Sequence, residues 1–229
     1  MSVNTLKFIF FSFLLITINS CKDSNGKSIF KPNRVEPPSI QDKEKSLYKE
    51  NVGRSSWQQP DLVVNKLGDL EGKVVADIGA GTGYFVLRLA YKNAKVIAID
   101  IDPLMINYIE SFKENLPKEV QNNITTRLAK PDNPMLLEKE VDKVIIINTA
   151  SYISELEDYL TILQKGIKSQ GTIMILDYKN KIIDIPAPPL DDRVSIGTLQ
   201  TYLANAGYKN IIVDDTSLEY QYIITAEVE

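Results

Sequence analysis

The sequence predicts an α/β fold in which a mostly parallel sheet carries helices on both faces. Apolar runs of strand length, at residues 95–99 and 143–147, lack the polar alternation of a half-exposed strand, so these strands are expected to be buried on both faces. Segments with helical spacing of apolar residues, such as residues 103–116, separate the runs. The chain has 229 residues, enough for one domain with a sizeable core.

The predicted elements alternate between strand and helix and end in a hairpin. Strands are predicted at residues 73–78, 95–99, 124–128, 143–147 and 172–176. Helices are predicted at residues 61–67 and 195–206. Three more are predicted to begin directly after the glycine-rich loop, at residue 103 and at residue 154, and the first of these ends at about residue 91. Asp102 and Pro103 predict an N-cap and first turn for the helix from residue 103, and Ser154 and Glu157 predict a capping box. Two last strands, 210–214 and 218–226, flank a short polar turn and are expected to pair antiparallel.

A glycine-rich run, Gly79-Ala80-Gly81-Thr82-Gly83, connects the first predicted strand to the helix that follows it. Glycine lacks a Cβ, so it adopts positive φ and lets a ligand lie directly on the main chain. The next helix begins with unpaired N–H groups that point to the same place. The run therefore predicts a ligand-binding loop, and the alternative is an ordinary glycine-rich turn without a ligand.

The residues around this loop distinguish between two classes of cofactor. The dinucleotide fingerprint G-x-G-x-x-G/A needs a small third residue, and Tyr84 occupies that position, which disfavours a nicotinamide oxidoreductase. Asp77 precedes the loop and completes the pattern D-x-G-x-G-x-G. This pattern resembles motif I of the class I methyltransferases that depend on S-adenosylmethionine (SAM).

The resemblance covers about residues 50 to 229, so a class I methyltransferase domain is predicted at residues 51–229. It implies SAM as the cofactor and a Rossmann-like sheet of seven strands in the order 3-2-1-4-5-7-6. In this family the glycine loop cradles the methionine portion of SAM, and the acid before it lies close to the amino group. The cofactor-binding residues that the resemblance implies are Asp77, Gly79, Ala80, Gly81, Gly83, Asp100, Ile101 and Asp132.

Two acids later in the chain extend this pattern. Asp100 ends the second predicted strand, 21 residues after Gly79, where an acid can accept both ribose hydroxyls. The family assigns it this role and places Ile101 on the adenine face, whereas the alternative is a simple loop acid. Asp132 follows the third strand at a position where family members contact the adenine amino group, although its proline-flanked run is also typical of a plain turn.

The residues after the fourth predicted strand are candidates for the acceptor pocket. In open α/β sheets the ligand crevice lies beyond the carboxyl ends of the strands at the switch point, so Asn148, Thr149 and Tyr152 are expected to border the methyl group and the acceptor. A related bacterial subgroup carries N-T-Y-H-H-I here, whereas this chain has N-T-A-S-Y-I. Without those histidines no catalytic residue is identified, and Tyr152 either substitutes for them or forms a pocket wall.

The segment before the first strand carries a further resemblance. Its R-x-x-W-Q-x-P run is similar to a segment that lies over the cofactor site in one subgroup of small bacterial methyltransferases. Trp57, the only tryptophan, is therefore expected either over that site or in the core as an anchor.

Composition excludes several kinds of chemistry. The chain has no histidine, which excludes a Ser-His-Asp triad, histidine general acid–base catalysis and histidine metal sites. It has one cysteine, Cys21, so thiolate metal clusters are excluded and no metal is predicted. A net charge of −4 disfavours nucleic acid as a partner, and the predicted acceptor is therefore a small molecule.

The N-terminus has the layout of a secretory signal that leads to the only cysteine of the chain. Residues 1–20 contain one charge, Lys7, followed by an apolar run at 8–18 that is too short to span a bilayer. Cys21 follows directly, and with Lys22 and Asp23 after it this segment resembles a bacterial lipoprotein signal of the Bacteroidota type, in which the cysteine is lipidated. The alternative is an uncleaved anchor with an incidental cysteine. Residues 21–50 are polar and proline-containing, which predicts a flexible tether. The expected location is the periplasmic or outer-membrane side of a bacterial envelope.

Two functional hypotheses follow. The first is a SAM-dependent methyltransferase, whose reaction depends mainly on alignment and is compatible with a chain without histidine. The second is a catalytically inactive methyltransferase-like lipoprotein that serves as a binding or scaffold module, because the signal would carry the domain away from the cytoplasm, where SAM is made.

Overall fold

The computed structural model describes Asn51 and residues 53–229, so the predicted signal peptide, Cys21 and the tether lie outside the described residues. Its strands form one seven-stranded sheet in the order β3-β2-β1-β4-β5-β7-β6, which confirms the expected order. None of the described helices has the length and apolar character needed to cross a membrane. The strands are β1 Val74–Ile78, β2 Lys95–Asp100, β3 Ile124–Leu128, β4 Val141–Ile147, β5 Ile167–Tyr178, β6 Lys209–Asp214 and β7 Gln221–Glu227.

Strand β1 lies at the centre of the sheet and sets the position of the crevice. It pairs in parallel with β2 on one side and β4 on the other, with Ala76 opposite both Ile97 and Val144. Strands β3 and β5 extend the parallel part, and β7 then pairs antiparallel with both β5 and β6. The chain order reverses between β1 and β4, so the carboxyl ends of β2, β1 and β4 meet at one edge beside the switch point.

Helices cover both faces of the sheet, as predicted. One hydrophobic cluster packs α2, α3 and α4 on one face, and the other packs α6 and α7 on the opposite face. Ile145 and Ile146 are both fully buried, the first in one cluster and the second in the other, which confirms that β4 is covered on both sides. The helices are α1 Arg54–Gln58, α2 Pro60–Lys66, α3 Tyr84–Ala90, α4 Pro103–Lys113, α5 Lys118–Gln121, α6 Leu156–Gly166 and α7 Ile196–Asn205.

Two predicted helix starts had different outcomes. The predicted cap of α4 is confirmed, because the Oδ1 atom of Asp102 accepts a hydrogen bond from the N–H of Leu104 at 2.9 Å. The capping box predicted at Ser154 and Glu157 is wrong. Glu155 occupies the N-cap of α6 with a left-handed φ of 48° and no side-chain cap, so Ser154 lies outside the capping position.

Strand β5 starts earlier than the sequence predicts. It runs from Ile167 to Tyr178 and includes residues that were expected to form a turn before the strand. Ile167 of β5 pairs with Val141 of β4, and Thr172 pairs with Lys143. The register therefore shifts between these pairs, and the additional residues of β5 form a bulge. Alternation patterns cannot locate a bulge, because the extra residues interrupt the period of two.

The start of α3 depends on a close approach of two helices at Gly83. Gly83 is the N-cap of α3 with a φ of 75°. A Cβ at this position would lie 2.8 Å from Cζ of Phe112, a residue of α4, and 3.3 Å from Cγ1 of Ile109. Only glycine fits both the left-handed backbone and this contact, so the end of the glycine loop is set against α4.

Replacement of Gly83 by alanine is expected to destabilise the protein more than the same change at Gly68. Both glycines have a left-handed φ, 75° and 74°. Both variants therefore carry a backbone strain of about 1–2 kcal/mol. The alanine at position 83 also collides with Phe112, which is expected to add about 1–3 kcal/mol. Urea unfolding of both variants measures the difference.

Gly68→Ala is the matched control, because nothing lies within 4 Å of a Cβ at that position. Combining Gly83→Ala with Phe112→Leu should recover most of the additional loss, since the smaller side chain relieves the contact. Equal losses for the two alanine variants would contradict this account of the packing.

Candidate active site

The glycine loop joins β1 to α3 at the carboxyl edge of the sheet and is held there by its neighbours. The N–H groups of Gly79 and Ala80 both donate to the carbonyl of Ile99, at the end of β2, at 2.8 and 3.0 Å. On the other side, a Cβ at Gly79 would lie 2.4 Å from Cγ2 of Thr149, just after β4. The loop is therefore packed between the ends of β2 and β4.

Gly81 has a different environment. Its φ is 52°, and the only described heavy atom within 4 Å of a Cβ there would be the carbonyl oxygen of Gly79, at 3.9 Å. A side chain at Gly81 would therefore project into open space beside the loop. The lack of a Cβ therefore leaves open space beside the main chain at this point, and ligand binding there stays a prediction.

Two cavities in the described part of the chain flank this loop. The smaller, of about 80 Å³, has polar walls that include Arg54, Asp77 and Thr82. The larger, of about 270 Å³, has mainly apolar walls. Gly79, Asn148 and Thr149 line both cavities, and the larger one is also lined by Asp100, Ile101, Ala129, Pro131 and Tyr152. The cleft thus offers a polar end and a more apolar end on either side of the loop.

Asp77 is the charged group at the polar end. Its side chain is only 3% exposed, and no described residue donates a hydrogen bond to its carboxyl group. Burial raises the pKa of Asp77 to about 7; the Arg54 guanidinium lowers this pKa and the Asp100 carboxylate raises it. A cation bound in the smaller cavity would stabilise the ionised form of Asp77.

Asp100 lies at the end of β2 and is oriented by two backbone groups. Its Oδ2 atom accepts from the N–H of Gly81 at 2.8 Å, and its Oδ1 atom accepts from the N–H of Asp102 at 2.9 Å. Each carboxylate oxygen has lone pairs beyond these bonds, so the group can still accept hydrogen bonds from a ligand in the larger cavity. Ile101, beside it, is 57% exposed at the cavity wall.

Asp132 lies away from both cavities. It is exposed in a turn that Lys130 and Asn133 close by two reciprocal backbone hydrogen bonds of 3.1 Å. Lys130 and Pro131 line the larger cavity, but Asp132 does not. Its contact with adenine stays a prediction.

The acceptor candidates lie together after β4. Tyr152 is 71% exposed on a short 3-10 helix, Ala150–Tyr152, and forms part of the wall of the larger cavity. The buried Asp177, near the end of β5, accepts a hydrogen bond from the N–H of Ala150 at 3.1 Å and so anchors this helix. Burial raises the pKa of Asp177 to about 6. Tyr152 is thus held at the wall by a residue that the sequence analysis did not single out.

Arg54 is a second residue that the sequence analysis missed. Only 8% of it is exposed, it lines the smaller cavity with Asp77, and its guanidinium lies 4.4 Å from the centroid of the Tyr84 ring. The R-x-x-W-Q-x-P run contains both Arg54 and Trp57, and the resemblance had indicated Trp57. Trp57 is half-buried against Tyr178, with ring centroids 6.2 Å apart, whereas the charged neighbour faces the cleft.

A buried amide network completes the site. The side chains of Gln58, on α1, and Gln221, at the start of β7, are fully buried and hydrogen-bond each other and Asn148. Nothing in the local sequence marks Gln221, because its partner lies 163 residues away in the chain. Within the described residues, no group of three or more His, Cys, Asp or Glu side chains could hold a metal ion.

Comparison with known proteins identifies relatives among methyltransferases. A family profile described as a methyltransferase domain matches residues 69–212. A demethylmenaquinone methyltransferase of Tropheryma whipplei is 30% identical over 114 residues, which are 50% of this chain and 45% of the relative. A tRNA U34 carboxymethyltransferase of Ruthia magnifica is 28% identical over 180 residues, 72% of this chain and 54% of the relative. The chain thus spans about half the length of these relatives.

Solved structures share the fold. A SAM-dependent methyltransferase from Aquifex aeolicus superposes with a TM-score of 0.73 at 24% identity, over 81% of this chain and 98% of that one. A phosphoethanolamine N-methyltransferase of Haemonchus contortus, in complex with phosphomonomethylethanolamine and S-adenosylhomocysteine, gives a TM-score of 0.68 at 11% identity, over 82% and 58%.

The predicted cofactor agrees with these structural neighbours, which are named for SAM or bind its demethylated product. The family match extends from just before β1 into β6 and covers more than half of the chain. The glycine loop, Asp77, Asp100 and the residues after β4 all lie inside it. This chain belongs to the methyltransferase domain family.

Proposed function

We propose that this protein is a SAM-dependent methyltransferase that transfers a methyl group to a small-molecule acceptor. The observation that carries the proposal is the cleft around the glycine loop. The Asp77 carboxyl group, to which no described residue donates a hydrogen bond, lies in its polar end, and the Asp100 carboxylate lies in its apolar end. Gly81 leaves the main chain between them open to a ligand.

The residues of the cleft fit the chemistry of SAM group by group. The Asp77 carboxylate would bind the amino group, and the Arg54 guanidinium would bind the carboxylate of the methionine portion. Asp100 would accept from the ribose hydroxyls, and Ile101 would cover a face of the adenine. Tyr84 also lines the smaller cavity, and no described residue hydrogen-bonds its buried hydroxyl.

The chemical demand on the protein is small. When bound, SAM supplies a methyl group on a sulfonium, which is its own leaving group. The chain has to bind and align the two reactants and exclude water, which alone can lower a barrier by several kcal/mol. Asn148, Thr149 and Tyr152 would form the wall on the acceptor side, and no histidine is needed for this role.

The class of acceptor is argued from charge. One relative is named for demethylmenaquinone and another for tRNA, so the family leaves the acceptor open. A net charge of −4 supports a small molecule over nucleic acid, because nucleic-acid binding depends on the neutralisation of phosphates by basic side chains.

We also propose that Cys21 is lipidated and anchors the protein to a bacterial envelope membrane. The apolar run at residues 8–18 directly before this cysteine, the only one in the chain, supports the proposal. Residues 21–50 would then serve as the tether between the lipid and the methyltransferase domain.

Calorimetric titration with S-adenosylhomocysteine tests the cofactor assignment. Asp100→Ala is expected to lower the affinity about 10- to 100-fold, because one or two hydrogen bonds to a charged acceptor are lost. Asp61→Ala is the matched control, since Asp61 is an exposed acid on α2 that lines neither cavity. If the wild-type protein fails to bind at high micromolar ligand, the proposal is wrong. Binding without methyl transfer to any acceptor would favour the inactive binding module.

Affinity for S-adenosylhomocysteine should rise with pH through about pH 7 and then level off. The pKa of Asp77 is about 7, so this acid is protonated below that pH. The ligand's ammonium group favours the ionised acid, and binding below that pH must release a proton. The affinity is therefore expected to fall by up to about tenfold per pH unit there.

Asp77→Asn should bind more weakly than the wild type above this range and lose the pH dependence. Methylthioadenosine, which lacks the amino-acid portion, is the control ligand and should give a flat profile. A wild-type affinity that stays constant across this range would contradict the role of Asp77.

Metabolic labelling with an alkyne fatty acid tests the proposed anchor. The full-length protein, expressed in a bacterium with lipoprotein-processing enzymes, should incorporate the label and partition with membranes. Cys21→Ser removes the acceptor thiol and should lose the label. Equal labelling of both proteins, or of neither, would contradict lipidation at this residue.

A further inference from the structure

The hydrogen bonds of the amide network beside the cleft all run from the two glutamines towards Asn148 or from one glutamine to the other. Nε2 of Gln58 donates to Oε1 of Gln221 at 2.8 Å and to Oδ1 of Asn148 at 3.1 Å. Nε2 of Gln221 donates to the same Oδ1 atom at 2.5 Å. The oxygen of Asn148 thus receives two hydrogen bonds, one from each glutamine.

Arg54 fixes this direction chemically. Its Nε–H group donates to Oε1 of Gln58 at 2.5 Å. A guanidinium can only donate, so the oxygen of Gln58 must face it and the nitrogen of Gln58 must face the other amides. The same argument then applies to the next amide of the network. The oxygen of Gln221 accepts from Gln58, and its nitrogen is left to donate to Asn148.

The backbone of Asn148 is held as well. It has a left-handed φ of 58°, and its N–H donates to the carbonyl of Leu176 at 2.9 Å. Asparagine tolerates this conformation better than most residues, which makes the site selective for a short side chain. Asn148 is half-buried and lines both cavities, and no described residue accepts a hydrogen bond from its Nδ2 group. Within the described residues, its two donors are therefore unused at the border of the cleft.

We propose that Gln58 and Gln221 are positioning residues that hold Asn148 as a hydrogen-bond donor for an oxygen of the bound ligand. The Oδ1 atom already accepts two hydrogen bonds, so Asn148 is poorly suited to accept from an amine. The ligand chemistry is an oxygen with free lone pairs, anionic or carbonyl, which belongs either to the carboxylate of the cofactor or to the acceptor. The inference rests on the proposed function only in treating this cleft as the ligand site.

The free protein tests the orientation without any ligand. In amide NMR spectra, the side-chain NH2 resonances of Gln58 and Gln221 should exchange slowly with water, and those of Asn148 quickly. Gln221→Glu offers an acceptor in place of a donor, so the Asn148 amide should reverse and its NH2 protons become protected. Gln59→Glu, the same change at the exposed neighbour of Gln58, should leave the pattern unchanged.

Ligand titrations test whether Asn148 donates a hydrogen bond to the ligand. They also show whether the accepting oxygen, here called the source, belongs to the cofactor or to the acceptor. Asn148→Asp keeps the oxygen that receives the two glutamine donors and removes Nδ2. If the source is the cofactor, this variant should bind S-adenosylhomocysteine about tenfold more weakly and methylthioadenosine unchanged. If the source is the acceptor, S-adenosylhomocysteine affinity is unchanged. Acetate added to the saturated protein should then shift the Asn148 NH2 resonances in the wild type but not in Gln221→Glu.

The inference is overturned if the Asn148 NH2 protons are protected in the free wild type, or if neither ligand perturbs them and Asn148→Asp binds like the wild type. These outcomes differ from a failure of the proposed function, in which the wild type would bind no S-adenosylhomocysteine while the exchange pattern of the free protein remained.

Discussion

The close approach of the first and fourth strands is the constraint on which the site depends. Gly79 packs so tightly on Thr149 that no larger side chain fits, and the neighbouring carbonyl of Ile99 accepts two hydrogen bonds from the loop. These contacts draw the carboxyl ends of β2, β1 and β4 together. Asp77, Asp100 and the residues after β4 thereby reach one cleft, although they come from separate parts of the chain.

The segment before the sheet also contributes a side chain to this cleft. Arg54 contacts the face of Tyr84, donates to Gln58 and lowers the pKa of the buried Asp77. A buried cation of this kind needs several partners at once, since a single lost contact would leave its charge poorly compensated. The short helix α1 therefore contributes a side chain to the site through Arg54.

Sequence patterns predicted what depends on local periodicity and on known spacing. The two-sided burial of β4 and the cap at Asp102 were expected from these patterns and are found, and the sheet order is the one that the family resemblance implies. The amide pair of Gln58 and Gln221 could not be found in this way, because a buried polar pair arises from tertiary contact and leaves no periodic signal. The bulge in β5 and the left-handed Glu155 were missed for a related reason, since both interrupt a local pattern.

The long separation within the amide network has a consequence for the order in which the protein forms. Gln58 and Gln221 are 163 residues apart in the chain, and each completes the other's hydrogen bonding. A nascent chain from which β7 has not yet emerged lacks Gln221, so it cannot complete the hydrogen bonds that orient Asn148. The amide network of the cleft therefore depends on β7 taking its place in the sheet.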